Sequence, residues 1–165
     1  TQDNFGYEFI FTYTGLNWLR FDGSVNGFRF ISQGVTQLGE DLSVDNYAWT
    51  ANMNSRISFW NNADLQLRLN YRAPRATLQG SRASITSLNV AASKDITPDL
   101  TITLSVQDVF NNRRWQSIID TDRLYEESDF QWRPRTFNAV INYRINRKKE
   151  RKRGGGPGGE GGGEF

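Results

Sequence analysis

The 165-residue chain contains no cysteine and no histidine. Their absence removes disulfide frameworks, thiol catalysis, Cys/His zinc sites and every histidine-based triad. Long apolar runs are missing as well. None exceeds three residues, as in Phe9-Ile10-Phe11 and Ala139-Val140-Ile141, whereas a transmembrane helix needs about 20. Lysine is scarce: Lys148, Lys149 and Lys152 lie near the C-terminus, and Lys94 stands beside a turn signal. The mean hydropathy of -0.64 describes a rather polar chain. What is plentiful is aromatic side chain, 13% of residues, too much for a chain that stays unfolded. Nothing marks an Asp/Glu pair of the glycosidase kind. The chain reads as a non-enzyme, with no catalytic, cofactor-binding or metal-binding residue assigned.

The net charge of +2 is unevenly distributed. Residues 147–165 carry six Lys/Arg and three Asp/Glu, which leaves 14 basic and 15 acidic residues in the body. The basic run Arg147-Lys148-Lys149-Glu150-Arg151-Lys152-Arg153 has no interleaved aromatics, so nucleic acid is not an expected partner. Beyond it the stretch 154–165 is dominated by glycine and is expected to be disordered. Residues 1–146 are then one folded unit and 147–165 a flexible basic and Gly-rich tail.

Within the body the hydrophobic period is two, the mark of strands with one apolar face. Tyr7, Phe9, Phe11 and Tyr13 share one side of the first run. Leu19, Phe21, Gly23 and Val25 oppose Arg20, Asp22, Ser24 and Asn26, and a blur at Gly27-Phe28 predicts a bulge. Tyr47, Trp49, Ala51, Met53, Ile57 and Phe59 oppose Thr50, Asn52, Asn54, Arg56 and Ser58. Leu65, Leu67, Leu69 and Tyr71 alternate with Gln66, Arg68, Asn70 and Arg72. Three further runs, about 84–94, 99–110 and 130–146, carry Leu88/Val90/Ala92, Leu100/Ile102/Leu104/Val106 and Phe137/Ala139/Ile141/Tyr143/Ile145. The expected fold is all-β, an antiparallel up-and-down meander of seven long strands. Short turns at 14–17, 61–63 and 95–98 alternate with long polar loops at 33–45, 74–83 and 111–129.

Such ribbons can line a soluble barrel or sandwich with the apolar face inside, or a membrane barrel with that face outside. The polar faces carry Asn, Thr, Ser, Gln and Arg in place of the Lys and Glu usual on soluble surfaces. Aromatics gather near strand ends: Tyr13, Trp18, Phe59, Trp60 and Tyr143 at the turn side, Phe28, Phe30, Tyr47, Trp49, Tyr71 and Trp132 at the loop side. Most runs reach the ~9–11 residues that cross a bilayer. A partial transmembrane β-barrel is therefore expected, with Phe9, Phe11, Leu67, Leu69, Ile102 and Leu104 facing lipid. Arg56, Arg68, Arg72 and Arg144 become a candidate lumen wall, with a hydrogen-bonded wall facing a plug as their plainer role. Seven strands fall below the eight or so of a closed barrel, so the missing partners are expected upstream of Thr1.

Asp45-Asn46-Tyr47-Ala48-Trp49 with Asn54-Ser55-Arg56, Leu69 to Arg75, Leu104-Ser105-Val106-Gln107-Asp108-Val109-Phe110-Asn111, and Phe130 to Arg135 followed by Asn142 to Asn146 follow one another in a distinctive order. In these stretches the chain resembles the C-terminal barrel of TonB-dependent outer-membrane receptors, over about residues 5–153. The resemblance implies a parent barrel of about 22 strands around a plug, importing a siderophore, glycan or peptide with energy relayed by TonB. It implies the outer membrane of a Gram-negative bacterium, with the C-terminal tail periplasmic. The implied partners are the lipid bilayer and lipopolysaccharide, the outer-membrane assembly machinery, a surface lipoprotein, and TonB through the upstream region. Phe137, Ala139, Ile141, Tyr143 and Ile145 resemble the terminal assembly signal, read by strand addition, although Phe165 is the terminal aromatic. Two alternatives stay open: an independent small outer-membrane barrel with an adhesive or structural role, and a soluble β-barrel holding an apolar ligand. Among the loops, Asp120, Asp122, Glu126, Glu127 and Asp129 could collect Ca²⁺ but lack a calcium loop's spacing, so a solvated loop is expected. Arg113-Arg114-Trp115 could meet an anionic ligand or anchor at the interface.

Overall fold

Alternation of apolar and polar residues over whole runs of chain leaves one solution, a sheet with two unlike faces. The computed structural model describes residues 2–33, 43–59 and 62–145. Eleven strands follow one another with no helix among the described residues: β1 (Gln2–Leu16), β2 (Leu19–Ser32), β3 (Val44–Phe59), β4 (Ala63–Arg72), β5 (Arg75–Thr77), β6 (Gly80–Arg82), β7 (Ile85–Thr97), β8 (Leu100–Gln107), β9 (Trp115–Thr121), β10 (Leu124–Phe130) and β11 (Thr136–Tyr143). Seven of them form an antiparallel meander in the order β1-β2-β3-β4-β7-β8-β11. The other four make a second sheet, β10-β9-β6-β5. The tail 147–165, including Phe165, and Trp60 lie outside the described residues.

The seven long strands match the expected meander, and their short turns fall at one end. Within the long polar loops expected at 74–83 and 111–129, the structure forms this second sheet. Each stretch doubles back as a hairpin, and Arg82 pairs with Ser117 to join the two hairpins edge to edge. Neither hairpin has enough residues to stand alone. The joint depends on Gly80, whose φ of +154° no L side chain readily adopts and where a Cβ would lie 1.9 Å from the Ile118 carbonyl oxygen. Gly80→Ala should therefore separate β6 from β9. Amide exchange should accelerate across residues 75–82 and 115–119 and stay unchanged in β3. Gly27→Ala, where a Cβ meets nothing within 4 Å, is the control.

Register builds each face row by row. One row runs Leu16, Leu19, Ile57, Leu65, Ala92, Leu104, Ala139, and the next Tyr13, Phe21, Ser55, Leu67, Val90, Val106, Phe137. A third runs Phe11, Gly23, Met53, Leu69, Leu88. Gly23 makes room for the Phe11 ring, which lies over it and stacks on Phe21 at 5.3 Å between centroids. No second layer covers this apolar face among the described residues. Phe9, Leu104 and Ile141 are 68%, 58% and 70% exposed. The opposite face carries rows such as Thr12, Asp22, Asn54, Arg68, Asn89, with Ile10, Phe28, Phe30, Ile85 and Val140 among its apolar members. The sheet stays open: β1 and β11 each pair along one edge only.

Several sequence expectations need correction. No bulge occurs at Gly27-Phe28, because pairing runs unbroken from Leu19 to Ser32 against β3. The pattern blurs there because Phe28 and Phe30 lie on the polar face, under the second sheet, while Arg29 lies on the apolar face and pairs with Asp45. Phe28 and Phe30 thus leave the loop-side aromatic belt, which keeps Trp49 against Tyr71, the rings tilted by 38° with centroids 4.5 Å apart. The last two meander strands are shorter than the expected 99–110 and 130–146, with eight residues each. β8 stops where Asp108 adopts a left-handed φ of +54°. Phe130 belongs to β10, and Pro134, which has no N–H to give a ladder, stands just before β11.

Candidate functional site

The polar face of the meander is cross-linked strand to strand. Asn54 Nδ2 donates to Asp22 at 3.0 Å, and Arg68 Nε donates to Asn54 Oδ1 at 3.0 Å, which ties β2, β3 and β4 through one register row. One row away Arg56 and Arg20 stand opposite each other. Arg56 turns instead to Asp64, diagonally placed on β4, in a two-pronged ion pair of 2.7 and 3.3 Å. A hollow of about 490 Å³ opens on this face, lined by Arg20, Asp22, Arg56, Gln66, Arg68 and Gln107. Of the four arginines expected on this wall, Arg56 and Arg68 therefore share one hollow. Arg72 lies on the same strand face as Arg68, toward the loop end. Arg144 stands past β11 at the turn end, its N–H bonded to the Asp99 carbonyl at 2.9 Å, away from the other three.

At the loop end the second sheet leans over the same polar face. Two adjoining hollows, of about 520 and 650 Å³, separate it from the rim of β2 and β3. The larger has an apolar side, with Phe28, Phe30, Leu78 and Ile119, and a charged side, with Arg75 and Arg82. Arg82 also lies over the Trp115 ring, 5.3 Å from its centroid. Burial, and then the neighbouring Arg82 and Arg72 charges, push the Arg75 guanidinium below its ordinary pKa.

The base of this sheet is held by a residue whose role the sequence pattern does not display. Asp108 is 1% exposed. Its carboxylate accepts the backbone N–H groups of Asn112 at 3.2 Å and Arg113 at 2.9 Å, and its own N–H donates to Asn89 Oδ1 at 2.9 Å. Asn111, also left-handed at φ +52°, accepts from Gln131 Nε2 at 3.0 Å and from the Arg135 N–H at 2.9 Å. Asp and Asn tolerate that conformation because their short polar side chains bond locally. The two residues join both ends of the insertion between β8 and β11. The Asp-then-Asn-Asn spacing is a turn signal, but nothing local reveals that the turn is buried.

The acidic loop becomes the β9–β10 hairpin. Its alternation sends Glu126 to one face and Asp120, Glu127 and Asp129 to the other. Asp129 accepts from Arg114 Nη1 at 3.4 Å and from Gln116 Nε2 at 2.9 Å. Among the described residues no acidic group is placed to hold a metal ion. Arg113-Arg114-Trp115 likewise divides: Arg114 serves Asp129, and Trp115 serves Arg82.

Long antiparallel strands, an uncovered apolar face and a hydrogen-bonded polar face describe a barrel wall, and comparison agrees. Residues 1–143 match the outer membrane protein β-barrel family. The chain belongs to that family. No curated protein and no solved structure matches it. The outer membrane is thereby the location of this barrel chain, and the soluble-barrel alternative falls: a family of membrane barrels and an apolar face with no cover both stand against it. In such a wall the row-by-row apolar face has no other layer of protein to rest on, and the Asp22–Asn54–Arg68 and Arg56–Asp64 bonds satisfy polar groups among themselves.

Proposed function

We propose that this barrel chain is the C-terminal portion of a TonB-dependent outer-membrane receptor that takes up a scarce solute such as a siderophore, glycan or peptide. The observation that carries the barrel orientation is the register: two apolar rows cross all seven strands with Ser55 as their one polar member, and no second layer covers them among the described residues. The charged residues of that face, Lys94 at the turn end and Asp3, Arg29 and Asp45 at the loop end, lie toward its margins. On this reading Phe9, Phe11, Leu67, Leu69, Ile102 and Leu104 face acyl chains. Arg56, Arg68 and Arg72 line the interior, with Arg144 at its periplasmic end. Lipid leaves no water for unpaired backbone groups, at several kcal/mol each, so the free edges of β1 and β11 pair with further strands of the same barrel. An independent small barrel would need only one strand more, so it is the resemblance to receptor barrels over about residues 5–153 that favours the receptor. The tail then lies in the periplasm, and TonB and the plug act through other segments of the parent.

Transport is tested by solute depletion. Strains lacking this protein or lacking TonB should leave the same solute in a limiting medium that the parent strain exhausts. Depletion equal to the parent's in the strain lacking this protein would contradict the receptor reading. The assembly signal, read as Phe137, Ala139, Ile141, Tyr143 and Ile145, has its own test. A stop codon after Asn146 should leave membrane insertion largely intact, measured as heat-modifiable mobility and protease resistance. Complete loss of assembly would move the signal to Phe165.

A further inference from the structure

Arg75 and Arg82 are directly opposite each other across the β5–β6 pair. Side chains so placed point to the same side of a sheet, and like charges there are destabilising. The register continues from Arg82 to Ser117 on β9 and from Ser117 to Ser128 on β10. One row of the four-stranded sheet is therefore two guanidiniums followed by two hydroxyls, of which Ser128 already donates to Glu126. Arg72 approaches the same place, lining one small recess with Arg75, Arg82 and Trp115. Among the described residues no carboxylate makes an ion pair with any of the three arginines. Glu127 borders the hollow but belongs to the other face of the hairpin, and Glu126, on the near face, accepts from Ser128. Elsewhere in this chain Arg29, Arg56 and Arg114 each have an aspartate. Facing arginines with no ion-pair partner among the described residues, beside a free hydroxyl and over a roomy hollow, form a site whose counter-charge comes from outside the chain.

We propose that the row Arg75–Arg82–Ser117, with Arg72 beside it, binds a phosphate, sulfate or carboxylate group, and that Phe28 and Phe30 across the adjoining hollow receive the apolar body that carries it. Planar guanidiniums match such oxyanions with paired N–H donors. The anion cancels the repulsion between Arg75 and Arg82, so occupancy and the stability of the β5–β6 hairpin are linked. Import of the bound molecule rests on the receptor reading above; binding does not.

The test uses the intact protein in phosphatidylcholine nanodiscs. Inorganic pyrophosphate should bind in calorimetric titration, and the pair Arg75→Gln, Arg82→Gln should weaken it at least tenfold. Arg75→Lys, which keeps the charge and loses the fork, should give an intermediate loss. Amide exchange separates this role from a structural one. Pyrophosphate should slow exchange over residues 75–82 in the parent protein and have no effect in the double variant. Without anion, the double variant should exchange there no faster than the parent. A second set of discs containing diphosphoryl lipid A identifies the source. Protection by lipid A alone assigns the same anion site to a lipid headgroup, and protection by soluble pyrophosphate assigns it to a solute. No protection in either arm, equal binding by the double variant, or faster exchange of that variant without anion would overturn the proposal. Solute depletion can fail while pyrophosphate still binds, so the two readings are separable.

Discussion

Leu104→Arg is expected to destabilise the assembled barrel by about 2–4 kcal/mol, the cost of a charge on a lipid-facing strand near the bilayer midplane. Leu104 stands midway along β8, 58% exposed, between Ala92 and Ala139. Neither small neighbour can hide a guanidinium, and neither offers an acceptor. The adjacent Ser105→Arg should cost under about 1 kcal/mol, because Ser105 lines the polar hollow of about 490 Å³, where an added arginine finds water and polar company. Urea unfolding of the two variants in the same bilayer makes the comparison. In a protein that hid its apolar face in a dry interior, Leu104→Arg would be the worse variant as well. The discriminating variant is therefore Ala139→Leu on β11. Against lipid the added methylenes of Ala139→Leu are neutral, whereas in a packed core they cost about 1–3 kcal/mol.

Asp108→Ala should have an effect of similar size by a different mechanism. Two backbone N–H groups, of Asn112 and Arg113, lose the carboxylate of the buried Asp108 in a part-buried turn. A buried donor left without a partner costs about 1–3 kcal/mol, and these part-buried donors fall toward the low end of that range. Alanine also tolerates φ +54° less well than Asp, by about 1–2 kcal/mol. Asp108→Asn keeps both the φ and one acceptor oxygen, so it should recover much of the loss. The damage should be local: amide exchange accelerates from Val109 to Gln131 and across the β9–β10 hairpin, while β1 to β4 keep their protection. Global loss of protection would mean that the turn nucleates the barrel wall itself.

The meander was legible in the sequence because its period is unambiguous. In β4, Leu65, Leu67, Leu69 and Tyr71 alternate with Gln66, Arg68, Asn70 and Arg72, and a register slip of one residue would invert every side chain. The second sheet was not legible. β5 and β6 have three residues each, too short for any period, and the strand that β6 joins, β9, is some 35 residues away. Arg75 and Arg82 look like two unrelated surface charges in sequence; only the hairpin register sets them face to face. Phe28 and Phe30 misled for the same reason, since what covers them is another hairpin and not lipid. The four arginines of the expected wall shared parity on their strands, but parity says nothing of height, and Arg144 falls at the far end. Asp108 and Asn111 were visible as part of a family-like stretch, without the hydrogen bonds that explain them.

Which face meets lipid is measured most directly by spin labels placed singly at Phe11, Leu69, Leu104 and Ile141, and at Asn52, Arg68, Ser105 and Asn142, in the reconstituted protein. The first four should relax strongly with dissolved oxygen and weakly with a water-soluble nickel chelate, and the second four should show the reverse. Uniform shielding of the first four from oxygen, with the second four no more open to nickel than they are, would contradict the account.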